Sequence, residues 1–405
     1  MSTTETTVRR EELYKAEPHG AVLTEAEFLA DFAHEAKKVR KGEVFSQAMV
    51  FFPDEKGEAV AEALKGASIE AKRTLVIDAY SYLAMDNRVS ALAALNPFDI
   101  GSLIKRMKKY NKIVQDLRDS GVTVDEINKP HGIKAPVKIF FPFVGTNHTK
   151  GTYVFNKEKH EASASCKKPD NSTTFYLSTA NHEDEPRMNM VIKYSGPLAL
   201  ALKEEYEAMH KNPPKEDYSK QLSSDTWLFV DSGIPGKSII LRKADELVAG
   251  AQKSVQAATL LYPDGKFANS LQGKYNQWKE EEMQSKEFDV VTSQFYPDFP
   301  LLTVEGTFYL VDKRARLQAK KNHFTFPVLA DNTRWSHSKC LITDNKWLFI
   351  GSHNYASSGV KAGTREWQIL TSNPEIVQAA QRMFRDYKAQ VLATAVSTSK
   401  ESQLL

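Results

Sequence analysis

RWSHSKCLITDNKWLFIGSHN, residues 334–354, decides how the rest of the chain is read. His337 and Lys339 stand two apart in a stretch with strand character, so alternation predicts that both share one face with Leu341 while Cys340 and Ile342 turn to the core. Asp344-Asn345 reads as a tight turn, and a second strand over 347–350 brings Gly351, Ser352 and Asn354 back beside the first. Imidazole, ammonium, hydroxyl and carboxamide groups therefore converge at one end of a hairpin.

The first half repeats the arrangement. NHTKGTYVFN, residues 147–156, holds His148 and Lys150 two apart, and FYLSTANHE, residues 175–183, sets Thr179 and Asn181 where Ser352 and Asn354 stand. Two imidazoles, two ammonium groups and two carboxamides gathered across a pseudo-two-fold surround one tetrahedral anion with donors and positive charge. That pattern predicts a phosphoryl-transfer site without metal or other cofactor: one His attacks phosphorus and the other protonates the leaving oxygen, then activates the incoming nucleophile. Lys150, Lys339 and the Asn side chains neutralise and orient the non-bridging oxygens.

These residues resemble the phospholipase D superfamily, whose repeated signature is H-x-K-x4-D followed by x6-G-S-x-N. His337, Lys339, Asp344, Gly351, Ser352 and Asn354 occupy every signature position, and Glu366 follows in TREWQIL where the family carries a downstream acid. The resemblance, closest in kind to two-lobed cardiolipin synthase-like members, implies an α/β fold of two similar lobes. Each is a mixed β-sheet flanked by helices, and the active site lies at the lobe interface. It also implies phosphodiester cleavage or transfer through a phosphohistidine, with His148 as nucleophile, His337 as general acid/base and Glu366 orienting one imidazole. The catalytic set is then His148, Lys150, His337, Lys339, Asp344 and Glu366, and the phosphate-binding set Thr179, Asn181, Ser352 and Asn354.

The first copy departs from the pattern. Five residues after Lys150 stands Phe155 instead of Asp, with Asn156 next; a polar insertion over 156–173 replaces the two-residue turn; and Ser178-Thr179 replaces Gly-Ser. Aligning SGP with SNP sets Asn189 opposite Glu366. In the family the signature Asp is largely structural, and the related tyrosyl-DNA phosphodiesterases also lack it.

Around these motifs the chain reads as a duplication. A helix-like segment over 25–41 precedes VFSQAMVFFPDEKGEAVAEAL, as RKADELVAGAQKS precedes VQAATLLYPDGKFANSLQ, so Phe52-Pro53-Asp54 answers to Tyr262-Pro263-Asp264. Helices are predicted to begin near Pro197 and Pro374. The predicted divisions are a flexible N-terminus over 1–24, a first lobe over 25–210, a Pro-rich linker over 211–221, a second lobe over 222–395 and a flexible C-terminus over 396–405.

Composition narrows the function. Lys plus Arg at 54 against Asp plus Glu at 51 leaves a net charge of +3, which excludes a dedicated polynucleotide coat and makes anion recognition local. Two cysteines, Cys166 and Cys340, form no disulfide framework and fit a reducing, cytoplasmic setting; Cys340 reads as a buried structural thiol. The N-terminus has no apolar core of a signal peptide, and no apolar run reaches the ~20 residues that span a bilayer, so membranes are touched from outside. The amphipathic run over 94–112, with Lys105, Arg106, Lys108, Lys109 and Lys112, reads as a solvated face or as an anionic-surface contact. The Phe140–Phe143 stretch reads as core or as the wall of a lipid or base pocket.

A metal reading of His148, His160, His182, His337 and His353 with Glu183, Asp184 and Glu185 finds no ligand spacing, and lysines aimed at the same centre repel a cation. His160 and His182 read as solvated loop residues. The expected substrate is a phospholipid, hydrolysed or exchanged at its headgroup, with peripheral membrane contact. Two alternatives stand beside it. One is a nuclease or nucleic-acid end-processing enzyme tracking a backbone with Lys313, Arg314, Arg316, Lys320 and Lys321; the other is a catalytically silent module that binds anionic ligands.

Overall fold

The computed structural model describes residues 20–48, 51, 54–77, 100–126, 149–166, 168–179, 187–281, 285–294, 304–331 and 335–401. In the first half these form β1 (Gly20–Leu23), α1 (Glu25–Lys37), β2 (Gly42–Ala48), α2 (Glu55–Gly66), β3 (Lys72–Ile77), α3 (Ile100–Asp119) and β4 (Thr123–Glu126). There follow β5 (Gly151–Asn156), α4 (Lys157–Cys166), β6 (Thr173–Ser178), β7 (Arg187–Met188), β8 (Val191–Ser195) and α5 (Pro197–Lys211). The second half holds β9 (Tyr218–Gln221), β10 (Thr226–Asp231), α6 (Ile239–Gly250), β11 (Ser254–Thr259), α7 (Gly265–Glu280), β12 (Glu287–Ser293), α8 (Val304–Lys321) and β13 (Leu329–Asp331). It closes with β14 (Trp335–Ser336), β15 (Cys340–Thr343), β16 (Trp347–Gly351), α9 (Ser357–Ala362), β17 (Glu366–Thr371) and α10 (Pro374–Glu401).

The duplication is visible in the strand order. The first sheet runs β1-β8-β6-β5-β2-β3-β4, and the second, read from its other edge, runs β9-β10-β17-β16-β15-β11-β12-β13. Apart from the added edge strand β9, each strand has its counterpart in the same place. The senses match as well: β2/β3 and β3/β4 are parallel, as are β11/β12 and β12/β13, and the other ladders of both sheets are antiparallel. Each parallel crossover carries a helix, the geometry that βαβ connections require. Both halves are mixed sheets flanked by helices, as the sequence predicts.

Local chemistry sets the helix starts. Thr24 and Glu27 form a reciprocal capping box ahead of α1, Asp54 caps α2 through Gly57 N, and Ser238 caps α6 through Leu241 N. Pro197 and Pro374 open α5 and α10 where an amide donor is dispensable.

The expected divisions shift at their edges. Gly20–Leu23 is a strand of the first sheet, the linker region contributes edge strand Tyr218–Gln221 to the second, and the closing helix continues to Glu401. The polar insertion after Asn156 folds into α4, so His160 lies on a helix with Nδ1 2.6 Å from Asp170 Oδ2 instead of in a solvated loop. The Phe140–Phe143 stretch and His182–Glu185 lie outside the described residues.

Each sheet buries an outer face under its own helices, Phe28, Phe32, Leu64 and Tyr110 in one half and Ala244, Val248, Leu271 and Trp278 in the other. The inner faces share one core that runs through both halves: Tyr153, Phe175, Leu177 and Tyr206 meet Ile342, Ile350, Trp367 and Phe384. Trp367 stacks on Phe175 with ring centroids 6.2 Å apart and meets Tyr206 edge-on at 4.8 Å. Burial on this scale contributes about 25 cal/mol per Å² of apolar surface and welds the halves into one body. Helix α10 packs on β1 of the first sheet and on β13 and β16 of the second.

Candidate active site

The second signature is delivered to the boundary between the sheets. Strand β14 pairs not with its own sheet but in parallel with β7, Trp335 opposite Arg187 and Ser336 opposite Met188. His337, Ser338 and Lys339 follow at 2%, 0% and 0% exposure. They link β14 to β15 and are not themselves in a strand, which corrects the expected continuous H-x-K strand. The reason lies in the hydrogen bonds. Lys339 Nζ turns back to the carbonyl of His337 at 2.8 Å, and it crosses to the carbonyl of Thr179 in the first half at 2.9 Å. An ammonium buried to this degree is tolerated only with such acceptors. Leu341, expected beside His337, lies in the second half's own core, whereas Cys340 and Ile342 reach the shared core.

Asp344 and Asn345 turn the β15–β16 hairpin at φ 55° and 56°, the left-handed region that Asp and Asn tolerate best after glycine. The Asp344 carboxylate accepts the amides of Gln252, Lys253 and Ser254 at 2.6–3.2 Å and so ties the hairpin to the loop entering β11. Grouped by sequence with the catalytic residues, Asp344 is spent on backbone. In the first half Asn156 ties the matching loop more weakly, Nδ2 reaching the Lys38 carbonyl at 3.4 Å.

At the end of β16, a Cβ on Gly351 would stand 2.1 Å from the Trp367 carbonyl, so only glycine lets the strands close. Ser352, expected to grip phosphate, has its hydroxyl engaged: Oγ donates to Glu366 Oε2 at 2.5 Å and accepts the Trp367 amide at 3.0 Å. Thr364 Oγ1 donates to the other Glu366 oxygen at 3.1 Å. Thr179 is engaged in the same way, exchanging bonds with the Met190 amide and carbonyl, both at 3.2 Å. The two hydroxyls are latches between strands, a structural role that the sequence reading did not give them. Asn354 is different: it is partly exposed, and its Oδ1 finds no hydrogen-bond partner among the described residues.

On the first-half side Lys150 is 1% exposed, and its carbonyl accepts the Ser178 amide at 3.2 Å, as the Lys339 carbonyl accepts Gly351 at 3.3 Å. Tyr206 braces this segment, its hydroxyl accepting the Gly151 amide at 3.0 Å while donating to Gln47. His148 and Asn181 lie outside the described residues. The structure thus brings Lys150, Thr179, His337, Lys339, Ser352 and Glu366 to the seam and sets Asp344 apart.

Two acid-base groups, Asp231 and Glu25, escaped the sequence reading, and His353, weighed there only as a metal ligand, lies beside the first of them. Asp231 pairs with Glu366 across the β10–β17 ladder and accepts Ser238 Oγ at 2.5 Å and the amides of Ile239 and Ile240. Burial pushes its carboxyl up to about 7, and the charges of Asp217 and Glu366 act in the same direction. His353 is buried, which lowers its pKa; its Nδ1 accepts the Tyr355 amide at 2.9 Å, leaving Nε2 to carry the proton, 3.9 Å from Asp231 Oδ2. Glu25 holds Asn189 Nδ2 at 2.5 Å and Lys56 Nζ at 2.8 Å. Only an apolar run ending in Asp, WLFVD, hinted at Asp231; cross-strand pairing reveals the rest.

The Cys340 thiol is buried and pushed up to about 12 by that burial, as befits core packing. Among the described residues no group of three His, Cys, Asp or Glu side chains is arranged to hold a metal ion, and no helix is long and apolar enough to cross a membrane.

Residues 245–388 match the family model described as cardiolipin synthase, PLD-like domain. Among solved structures, phosphatidylserine synthase from Haemophilus influenzae Rd KW20 superposes with a TM-score of 0.57 at 13% identity, covering 97% of this chain and 90% of its own. Polyphosphate kinase from Porphyromonas gingivalis gives 0.48 at 10% identity, over 93% of this chain and 49% of its own. A phospholipase D family member, Nuc from Salmonella typhimurium, gives 0.28 at 13% identity, over 42% of this chain and 93% of its own. No curated protein matches. The fold of the whole chain is therefore the two-lobed phospholipase D-like fold, and the family match lies on its second lobe.

Proposed function

We propose, with that two-lobed phospholipase D-like fold as premise, that the protein is a metal-independent phosphodiesterase or phosphatidyltransferase acting on phospholipids through a phosphohistidine. In this reading the His148 imidazole attacks phosphorus as the bond to the leaving alcohol breaks, and the His337 imidazolium gives its proton to that oxygen. Neutral His337 then takes a proton from water or an acceptor alcohol, whose oxygen attacks phosphorus and releases His148. Lys150 and Lys339 supply the positive charge that a metal ion supplies elsewhere, and Asn181 and Asn354 orient the non-bridging oxygens.

The observation that carries the reading is the bond from Lys339 Nζ to the Thr179 carbonyl, with matching latches at Thr179 and Ser352, which draws the two signature halves to one seam. Substrate class is argued from α8. Its outward face centres on Leu310 and Leu317, 49% and 59% exposed, with Lys313, Arg314, Lys320 and Lys321 around them. Arg316, counted by sequence among backbone-tracking cations, is held by Asp312 and by the Ser293 carbonyl. Exposed leucines ringed by cations suit an anionic bilayer better than a polynucleotide.

The test compares release from labelled phospholipid vesicles with degradation of single-stranded DNA, both in chelator. Lipid turnover that His337→Ala abolishes is expected. DNA turnover alone would select the nuclease alternative, loss of activity in chelator would bring back a metal mechanism, and anion binding without turnover would leave a silent module.

A further inference from the structure

The end of α5 and the start of β17 meet across the two lobes. Trp367 Nε1 donates to Met209 Sδ at 2.8 Å, and the Trp367 ring stands edge-on to Tyr206 with centroids 4.8 Å apart. Arg365 lies two residues before Trp367 in extended backbone, so alternation turns it to the same inner face, toward the first lobe. His210 follows Tyr206 by one helical turn, its ring 4.7 Å from the Tyr206 ring and 5.9 Å from Phe45. The pair borders the seam from both sides. Arg365 directly precedes Glu366, which Ser352 holds, and Tyr206 carries the Gly151 amide next to Lys150.

Both side chains are set in place and neither is satisfied. A Cβ on Gly233 would stand 3.0 Å from Arg365 Cγ, so the arginine stem is seated against backbone. Its half-buried guanidinium makes no hydrogen bond or ion pair among the described residues. His210 Nδ1 donates to the Tyr206 carbonyl at 2.9 Å, which fixes the ring and leaves Nε2 buried with no partner among the described residues. Burial lowers the His210 pKa and the positive charge of Arg365 lowers it further, against the Tyr206 carbonyl and the negative charges of Glu207 on the same helix and Asp125 on β4. The ring is therefore neutral at pH 7, with a bare Nε2 lone pair near an unpartnered cation. An oxyanion placed between them accepts from the guanidinium, restores the ring's second proton and accepts from Nε2–H as well.

We infer that Arg365 and His210 form a second oxyanion subsite, one group from each lobe, which takes a carboxylate or phosphate carried on the alcohol portion of the substrate. The inference rests on the phosphodiesterase reading above and narrows it to diesters whose headgroup bears its own acid. Occupancy draws a proton onto His210, so the preference for such headgroups strengthens as pH falls. Neither residue touches the reacting phosphorus; the pair sets specificity.

The test measures, in the full chain, inhibition of bis(p-nitrophenyl) phosphate turnover by glycerophosphoserine and glycerophosphoethanolamine, soluble diesters that differ by one carboxylate, with inorganic phosphate as a third arm. Wild type should bind glycerophosphoserine tighter by about 10-fold or more, increasingly so between about pH 8 and 6. Arg365→Gln should bring the two inhibition constants within about 3-fold of each other, Arg365→Lys should keep part of the preference, and His210→Gln should remove its pH dependence. An active wild type with equal constants, or an Arg365→Gln that keeps the full preference, would sink this inference alone. So would a His210→Gln with unmoved pH dependence, whatever the folding of the Arg365 variants. Inorganic phosphate that inhibits without competing, and loses that effect in Arg365→Gln, would hand the subsite to a free ion and overturn its assignment to the substrate. A wild type inert toward the diester, or undiminished turnover in His337→Ala, overturns the phosphodiesterase reading and this one with it.

Discussion

Lys339 of the second lobe donates to the main-chain carbonyl of Thr179 in the first, 2.9 Å away, from a position with no solvent exposure. A flexible four-carbon side chain is thereby fixed at both ends, and the residue that neutralises phosphate in the proposed mechanism also measures the gap between the lobes. Site geometry and lobe packing are coupled through one ammonium.

Lys339→Met tests that coupling. Methionine fills similar volume but leaves the carbonyls of Thr179 and His337 without this donor, at a cost of about 1–3 kcal/mol in stability. Turnover should fall by about 100-fold or more, as expected when a group stabilising transition-state charge is removed. Urea unfolding and diester kinetics read the two effects separately; a variant with unchanged stability would show that the Thr179 bond carries no weight.

The paired latches make an asymmetric prediction. Ser352→Ala strips the Trp367 amide of its acceptor and Glu366 of a 2.5 Å donor, whereas Thr179→Ala strips only the Met190 backbone. Both should lose about 1–3 kcal/mol for the orphaned amide. Only Ser352→Ala should also shift the pH profile of turnover, because only it releases a carboxylate. Equal pH profiles would put Glu366 outside the chemistry.

How far the sequence reached depends on what kind of information each feature needs. The duplication, the helix starts at Pro197 and Pro374, the turn at Asp344-Asn345 and the buried Cys340 thiol are local or periodic, and periodicity is visible in one dimension. The latches at Ser352 and Thr179 were not legible because a hydroxyl looks the same in sequence whether it faces a ligand or bridges two strands. The H-x-K stretch passed for a strand because alternation cannot show that Lys339 takes the His337 carbonyl for itself. Glu25 and Asp231 were invisible because each meets its partner only through ladder register, 164 and 135 residues away in the chain.

Asp344 should act on folding and hardly on chemistry. Asp344→Ala removes the acceptor of three backbone amides and sets a β-carbon without hydrogen-bonding capacity at positive φ, costing about 1–3 kcal/mol. Asp344→Asn keeps the turn preference and one acceptor oxygen, so it should recover part of the loss. Turnover per folded molecule should match wild type in both, measured well below their melting temperatures. A folded Asp344→Asn with kcat down 100-fold would restore Asp344 to the catalytic set.

Asp231 and His353 give opposite pH signatures. Asp231 is raised from 3.8 to about 7, so the folded state binds a proton that the unfolded chain releases, and stability falls as pH rises between about 4 and 7 and levels off above. The span corresponds to roughly 4 kcal/mol as an upper bound. His353 is lowered from 6.5, so its contribution is present above that pH and is lost as pH falls through it. Asp231→Asn should therefore flatten the decline between pH 4 and 7, and His353→Gln should steepen it just below about pH 6.5. Guanidinium titrations across that range measure both slopes, and parallel curves for Asp231→Asn and wild type would show that the buried proton is not there.

Helix α8 offers the last test, of where the protein works. Leu310 and Leu317 lie one above the other on its outward face, and among its described residues the exposed charges are all positive: Lys313, Arg314, Lys320 and Lys321. Leu317→Asp replaces an exposed apolar group with a charge of the same sign as an anionic bilayer and disturbs nothing in the core. Binding to vesicles containing about 30 mol% phosphatidylglycerol should weaken by about 10-fold or more, from lost apolar insertion plus roughly 1 kcal/mol per charge of electrostatics. Turnover of a soluble diester should stay unchanged, since Leu317 is exposed on the outward face of α8. Reversing Lys320 and Lys321 to Glu should weaken the same binding in a salt-dependent way, whereas Leu317→Asp should be felt at high salt too. Vesicle affinity unaffected by either change, or single-stranded DNA displaced by the lysine reversals but not by Leu317→Asp, would assign this face to a polynucleotide and not to a membrane.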